Sequence, residues 1–456
     1  MTLSFRDPDG RLSLAGERVL RIVNPTFESH IADFIQSEAF ARLLADEMLV
    51  STTSLGRIHH KDLPVELQQV AEDFQALLNA DGTALILEHE RIPFPSYPYE
   101  WAPEMLYAAG KLTLDLCERL LPVGLGLKDA TPYNILFRGP QPVFIDLLSI
   151  DRREPRDPTW LPYAQFVRTF IRPLLVNKHF GLGLGEIFGV HRDGLYPSAV
   201  TRLCGSWQKV RPPFLSLVTL PILLGKIQRT RNAPIYREQT TGSPEKAAFI
   251  LGRQFKSLRR KLTALRTRSA RSSDWSGYMD EHHSEVYFAA KREFIERAIA
   301  QQRPVMVLDV GCNTGEFSAI AARNGARVVA IDQDPDVVSH VWRRAAAERL
   351  DILPLVVDLT RPTPAMGWRN AECPAFLERA RGSFDCLLML AVIHHMLVSE
   401  RIPLDEILGL AAELTVDLLL IEYIPPDDPM FRLIARGNDY LYEFLTRECF
   451  ENASKK

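Results

Sequence analysis

The stretch VMVLDVGCNTGEFS, Val305 to Ser318, constrains the fold more than any other part of the chain. An apolar run ends in a glycine-bearing turn that opens a helix, and Asp332 closes the next apolar run, ARVVAID. This order builds a nucleoside-binding crevice at the carboxyl ends of parallel strands. Further along, LPLVVD, FDCLLMLAV and DLLLIEYI alternate with helical segments starting near Glu316 and Pro335. Strands this continuously apolar are expected where helices cover both faces of a doubly wound parallel sheet. The fold class is therefore α/β in this half.

The glycine pattern narrows the ligand. A dinucleotide site needs glycine at three places, for the turn, for pyrophosphate approach and for helix packing. Here Asn313 and Glu316 occupy the second and third places, and glycine falls at Gly311 and Gly315. That suits S-adenosylmethionine, which has no phosphate and presents a carboxylate, an amine and a sulfonium. The candidate cofactor set is Asp309, Gly311, Asn313, Gly315, Asp332 and Asp358. Asp309 would order the turn or meet the amine. A carboxylate at Asp332 can accept from both ribose hydroxyls, and Asp358 could accept from the adenine amino group or simply cap its turn.

Candidate catalytic residues follow the fourth and fifth strands. His394 and His395 stand where the transferred methyl should emerge, and a neutral imidazole can take a proton or orient the acceptor. Of two adjacent residues, one usually faces the packing. Glu422 is a further acid/base candidate. No metal site is expected, because the six cysteines form no CxxC pair and no HExxH-type spacing accompanies the histidines.

The first half carries a second signature, LKDATPYNILFRGPQPVFIDLLS. Asp129 and Asn134 have the offset of a kinase catalytic loop, in which the aspartate takes a hydroxyl proton and the asparagine holds a metal, and Asp146 then occupies the magnesium-binding position. Residues 1–240 thus read as an α+β kinase-like domain. No lysine precedes Lys61, although Arg18 and Arg21 lie on a candidate strand, RVLRIV, and Gly10 and Gly16 do not form a phosphate-covering loop. A structural domain and a working phosphotransferase using Mg-ATP both remain open readings.

Between the halves, residues 241–273 form a basic amphipathic segment in which Phe255, Leu258, Leu262 and Leu265 recur at heptad-like spacing among arginines and lysines. A connector docked through its leucine stripe is the plain reading, and nucleic acid or an anionic membrane is the sharper one. The segment RSSDWSG reads as a loop, and the second domain is placed at 274–456. A formal charge of −3 gives no global field for nucleic acid. The N-terminus does not read as a secretion signal, the run PFLSLVTLPILLG is too short and proline-broken to span a bilayer, and the scattered cysteines fit a reducing cytoplasm.

Taken together, EHERIPFPSYPYEW, LKDATPYNILFRGPQPVFIDLLS, DVGCNTGEFS, LPLVVDLTRPTPAMGW, LAVIHHM and IEYIPPDDPM resemble a bacterial family of class I methyltransferases that includes host-specific nodulation proteins. The resemblance covers nearly the whole chain. It implies an S-adenosylmethionine-dependent transferase behind an N-terminal region and supplies no substrate; transfer to an oxygen or nitrogen of a small molecule or saccharide is the leading expectation. A non-catalytic, cofactor-binding scaffold is a further alternative. The family pattern closes its sheet with an antiparallel hairpin. Only polar and helical sequence follows Tyr423 here, so a bare strand edge open to self-association is expected.

Overall fold

The computed structural model describes residues 7–62, 78–79, 81–230, 240–266 and 285–455. The expected loop RSSDWSG and the start of the second domain at 274 lie outside these residues.

The N-terminal half opens with an antiparallel sheet of β1 (Gly10–Ala15), β2 (Arg18–Val23), β3 (Thr52–His59) and β4 (Thr83–His89), ordered β1-β2-β4-β3. Between β2 and β3 run the helices Glu28–Ile35 and Glu38–Ala45, the second capped by the Ser37 hydroxyl. The helix Pro103–Leu120 follows, nearly surrounded by apolar side chains, with proline at its first turn where no backbone N–H is needed. After it come β5 (Leu125–Leu127), the hairpin β6 (Ile135–Arg138) and β7 (Gln141–Phe144), and β8 (Ile150–Arg152). Asn134 and Asp146 therefore flank the hairpin, as their spacing predicts. This half is kinase-like.

The helix Pro244–Leu265 does not stand free. Its buried stripe of Leu251, Phe255, Leu258, Leu262 and Leu265 packs on the helix Pro103–Leu120, and Arg259 bonds Asp115 at 2.6 Å and Glu118 at 2.9 Å. The plain reading of its leucines describes it, and Arg259 is held by acids of the same half.

The C-terminal sheet comprises β9 (Met306–Val310), β10 (Arg327–Asp332), β11 (Ile352–Val356), β12 (Phe384–Met389) and β13 (Thr415–Ile421). All pairs are parallel, in the order β11-β10-β9-β12-β13. Order reverses at β9, which puts a topological switch point beside the glycine turn. Among the described residues no strand pairs with the outer edge of β13, and Val416 on that strand is 67% exposed. The last helices, Pro429–Ala435 and Arg447–Ala453, bury Phe431 and Phe450 and fold over the carboxyl ends of the strands.

One hydrophobic core runs through both halves, joining Phe94, Trp101 and Met105 to Leu308, Phe376 and Phe384. Polar groups cross the seam. Ser339 donates to Glu104 at 2.5 Å, Trp342 Nε1 to the Pro140 carbonyl at 3.1 Å, and Arg379 pairs with Glu100, both nearly inaccessible. No helix among the described residues is long and apolar enough to cross a membrane.

Candidate functional site

The carboxyl ends of the five strands open into a cavity of about 1540 Å³. Its inner floor is the turn after β9. Gly311, Asn313 and Gly315 have φ of +66°, +45° and +74°, the left-handed region that glycine, and next to it asparagine, tolerates. A Cβ on Gly311 would stand 2.7 Å from Val392 Cγ2, and one on Gly315 3.0 Å from Val341 Cγ2. The turn is therefore closed against both the β12 loop and the helix Pro335–Glu348. The Gly311 and Cys312 N–H groups donate to the Ile331 carbonyl, tying the turn to β10.

Asp332, at the end of β10, accepts from the backbone N–H of Asn313 at 3.1 Å and of Asp334 at 3.0 Å. Burial raises its carboxyl above the ordinary value. Asp309 is 2% exposed, and burial pushes its carboxyl up to about 7 while the Ser318 hydroxyl, 2.5 Å away, pulls the other way. Asn313 Oδ1 is buried and has no protein partner among the described residues. Asp358 accepts from the Thr360 N–H and hydroxyl at 2.9 and 2.6 Å, so it caps its own turn, yet it also lines the cavity.

The adjacent histidines separate. His395 lines the cavity, at the start of a wide helical turn, His395–Ser399. His394 does not line the cavity. It is 1% exposed, neither ring nitrogen has a partner among the described residues, and burial lowers it to about 3. One of the two adjacent histidines thus packs inward while the other faces the cavity, and Ala391, between β12 and the pair, has φ +55°.

Glu422 follows β13 and reaches the cavity, where Lys291 Nζ donates to it at 2.6 Å and the Tyr287 hydroxyl donates to its other oxygen. Tyr287, Phe288 and Lys291 come from the helix Glu285–Gln302 and have no counterpart among the sequence-based candidates. A cationic residue on the segment just before the first strand was the available signal. The far wall mixes apolar side chains, among them Leu397, Ile402 and Leu433, with Asp405, Arg436 and Asn438. Among the described residues no group of three potential metal ligands gathers.

In the kinase-like half, Asp146 accepts from Asn134 at 3.3 Å and from Arg21 at 2.8 Å, so two of the three spaced residues meet. Asp129 is exposed and accepts from Gln165 at 3.3 Å. Arg21, 5% exposed on β2, is the cation bonded to Asp146, whereas Arg18 pairs with Glu88 nearer the surface.

Residues 308–408 match the family described as a methyltransferase domain. Across 455 residues, 99% of this chain and 90% of the relative, the sequence is 29% identical to nodulation protein NoeA of Rhizobium meliloti. It is 30% identical over 139 residues to the O-antigen chain terminator bifunctional methyltransferase/kinase WbdD of Escherichia coli, a stretch covering 30% of this chain and 18% of that protein. The crystal structure of monomeric WbdD gives a TM-score of 0.26 at 19% identity, covering 38% of this chain and 40% of that one. The N-methyltransferase NodS from Bradyrhizobium japonicum, solved with S-adenosyl-L-homocysteine, gives 0.23 at 14% identity, covering 32% and 63%.

Proposed function

We propose that this class I S-adenosylmethionine-dependent methyltransferase, carried behind a kinase-like half, holds its cofactor on the Gly311–Gly315 turn and methylates an oxygen or nitrogen of a small-molecule or saccharide acceptor in the outer cavity. One observation carries the reading: the glycine turn, Asp332, His395 and Glu422 share a single cavity. The residues fit the cofactor's chemistry. Gly311 lets the left-handed turn bring its backbone to the cavity, Asn313 Oδ1 is an uncommitted buried acceptor, and Asp332 has lone pairs beyond its two backbone bonds for a ribose diol.

S-adenosylmethionine, when bound, supplies an already activated methyl group, so the chain's tasks are positioning and proton removal. His395, in the same cavity, would orient the acceptor. The kinase-like half shares its core with this domain and would present the acceptor. Incubation with labelled methyl donor and pools of small molecules and saccharides tests the reading. Label should reach an acceptor with the unaltered chain and not with Asp332→Ala; transfer that persists in the variant would refute the assignment.

Phosphoryl transfer from Mg-ATP is a second reading, favoured by the meeting of Asn134 with Asp146. Under it Asp129 is the base, and Asp129→Ala abolishes ATP turnover. Intact turnover would reject that role.

A further inference from the structure

The cofactor end of the cavity is lined by five acids, Asp309, Glu316, Asp332, Asp358 and Glu422, and, among the described residues, by one lysine, Lys291. Lys291 is 13% exposed and Glu422 14%, and they are bonded at 2.6 Å. The ammonium also stands 5.1 Å from the centre of the Phe317 ring, on the helix that the glycine turn opens. The next residue, Arg292, is paired with Glu316 at 3.1 Å, which fixes this helix over the turn. A ligand with an α-carboxylate entering here meets a cation already engaged by an acid of the protein. A charge-assisted bond to that carboxylate must compete with the bond to Glu422.

We infer that Lys291 is a shared counter-ion: Glu422 holds it in the empty site, and the carboxylate of the amino-acid part of the cofactor takes it on binding. The inference rests on the cofactor reading above and deepens it. Exchange leaves Glu422 ionised, held by the Tyr287 hydroxyl and without its ammonium partner. Its carboxylate then accepts the proton of the acceptor's O–H or N–H, the electron pair stays on the acceptor atom, and that atom bonds the methyl carbon as the carbon–sulfur bond breaks. Cofactor loading therefore arms the base, and acceptor meeting an empty site finds Glu422 neutralised by Lys291.

The test is calorimetric binding of S-adenosylhomocysteine and of its decarboxylated analogue, in which the amine is kept and the carboxylate is absent. The unaltered chain should prefer the carboxylated ligand by about 10- to 100-fold, the scale of one charge-assisted bond. Lys291→Met should bring that preference close to one, and Lys291→Arg should restore part of it. Glu422→Gln should tighten S-adenosylhomocysteine by about 3- to 10-fold, because the competitor for Lys291 is weakened, and the double variant should not show that gain. A carboxylate preference that survives in Lys291→Met, or weaker binding in Glu422→Gln, overturns the inference while leaving the cofactor site standing. Failure of folded, unaltered protein to bind either ligand overturns the inference together with the reading beneath it.

Discussion

Replacing Arg379 with methionine should unsettle the whole molecule rather than one half of it. Arg379 is 5% exposed and Glu100 is fully buried. The guanidinium pairs with Glu100, donates to the Pro95 carbonyl at 2.5 Å, and lies 5.0 to 5.5 Å from the centres of the Phe94, Tyr97 and Phe376 rings. Methionine fills much of the space but leaves the Glu100 carboxylate with only the Thr363 hydroxyl and the Tyr97 N–H. Removing one partner of a buried ion pair costs about 3–5 kcal/mol. With an unfolding entropy of about 2.1 cal/mol/K per residue, a chain of 456 residues that melts as one unit should lose about 3–5 °C in Tm. If the C-terminal domain melted alone, the same loss would move its transition by roughly 8–14 °C. Differential scanning calorimetry separates these cases. The continuous core predicts one transition with the smaller shift, and Glu100→Leu with Arg379→Met should be less damaging than the two single changes added together. Two independent transitions, only one of which responds, would refute the shared core.

Three further outcomes follow from the site. Gly311→Ala should cost about 2–4 kcal/mol from left-handed strain and overpacking against Val392, and adding Val392→Ala should return part of it in chemical denaturation; full stability of Gly311→Ala would contradict the geometry. Asp309 has its carboxyl raised to about 7, so between about 4 and 7 the folded state keeps a proton that the unfolded state has lost. Its contribution is present in full below pH 4 and is lost as pH rises through about 7, and Asp309→Asn should flatten that part of the stability curve. His394, lowered to about 3, acts oppositely: its contribution is full above about pH 6.5 and is lost as pH falls toward 3, a slope that His394→Phe should remove in acid unfolding. An unchanged slope in either variant would count against the burial assigned to that group.

The parallel sheet was readable because its strands are short apolar runs, three of which stop at an acid on one rim, Asp332, Asp358 and Glu422. The glycine spacing departs from that of a dinucleotide turn, a difference visible in the residues themselves. Long-range register was not readable. Lys291 meets Glu422 across 131 positions, and its helix has no strong apolar stripe to announce which side faces the sheet. Adjacency showed that one of His394 and His395 must pack, but the choice depends on the backbone turn at Ala391. The leucine stripe of Pro244–Leu265 declared a docked face, while its partner, the helix Pro103–Leu120, was identifiable only in three dimensions. In the kinase-like half, the missing lysine was visible as an absence, and burial then identified Arg21 as the cation beside Asp146.

The most direct test of the central claim is calorimetric titration of S-adenosylmethionine into the purified chain and into Asp332→Ala. The account predicts saturable binding near one ligand per chain, weakened by roughly 10-fold or more when the Asp332 bonds are removed. A folded, unaltered protein that shows no saturable binding, or an Asp332→Ala variant that binds equally well, would contradict it.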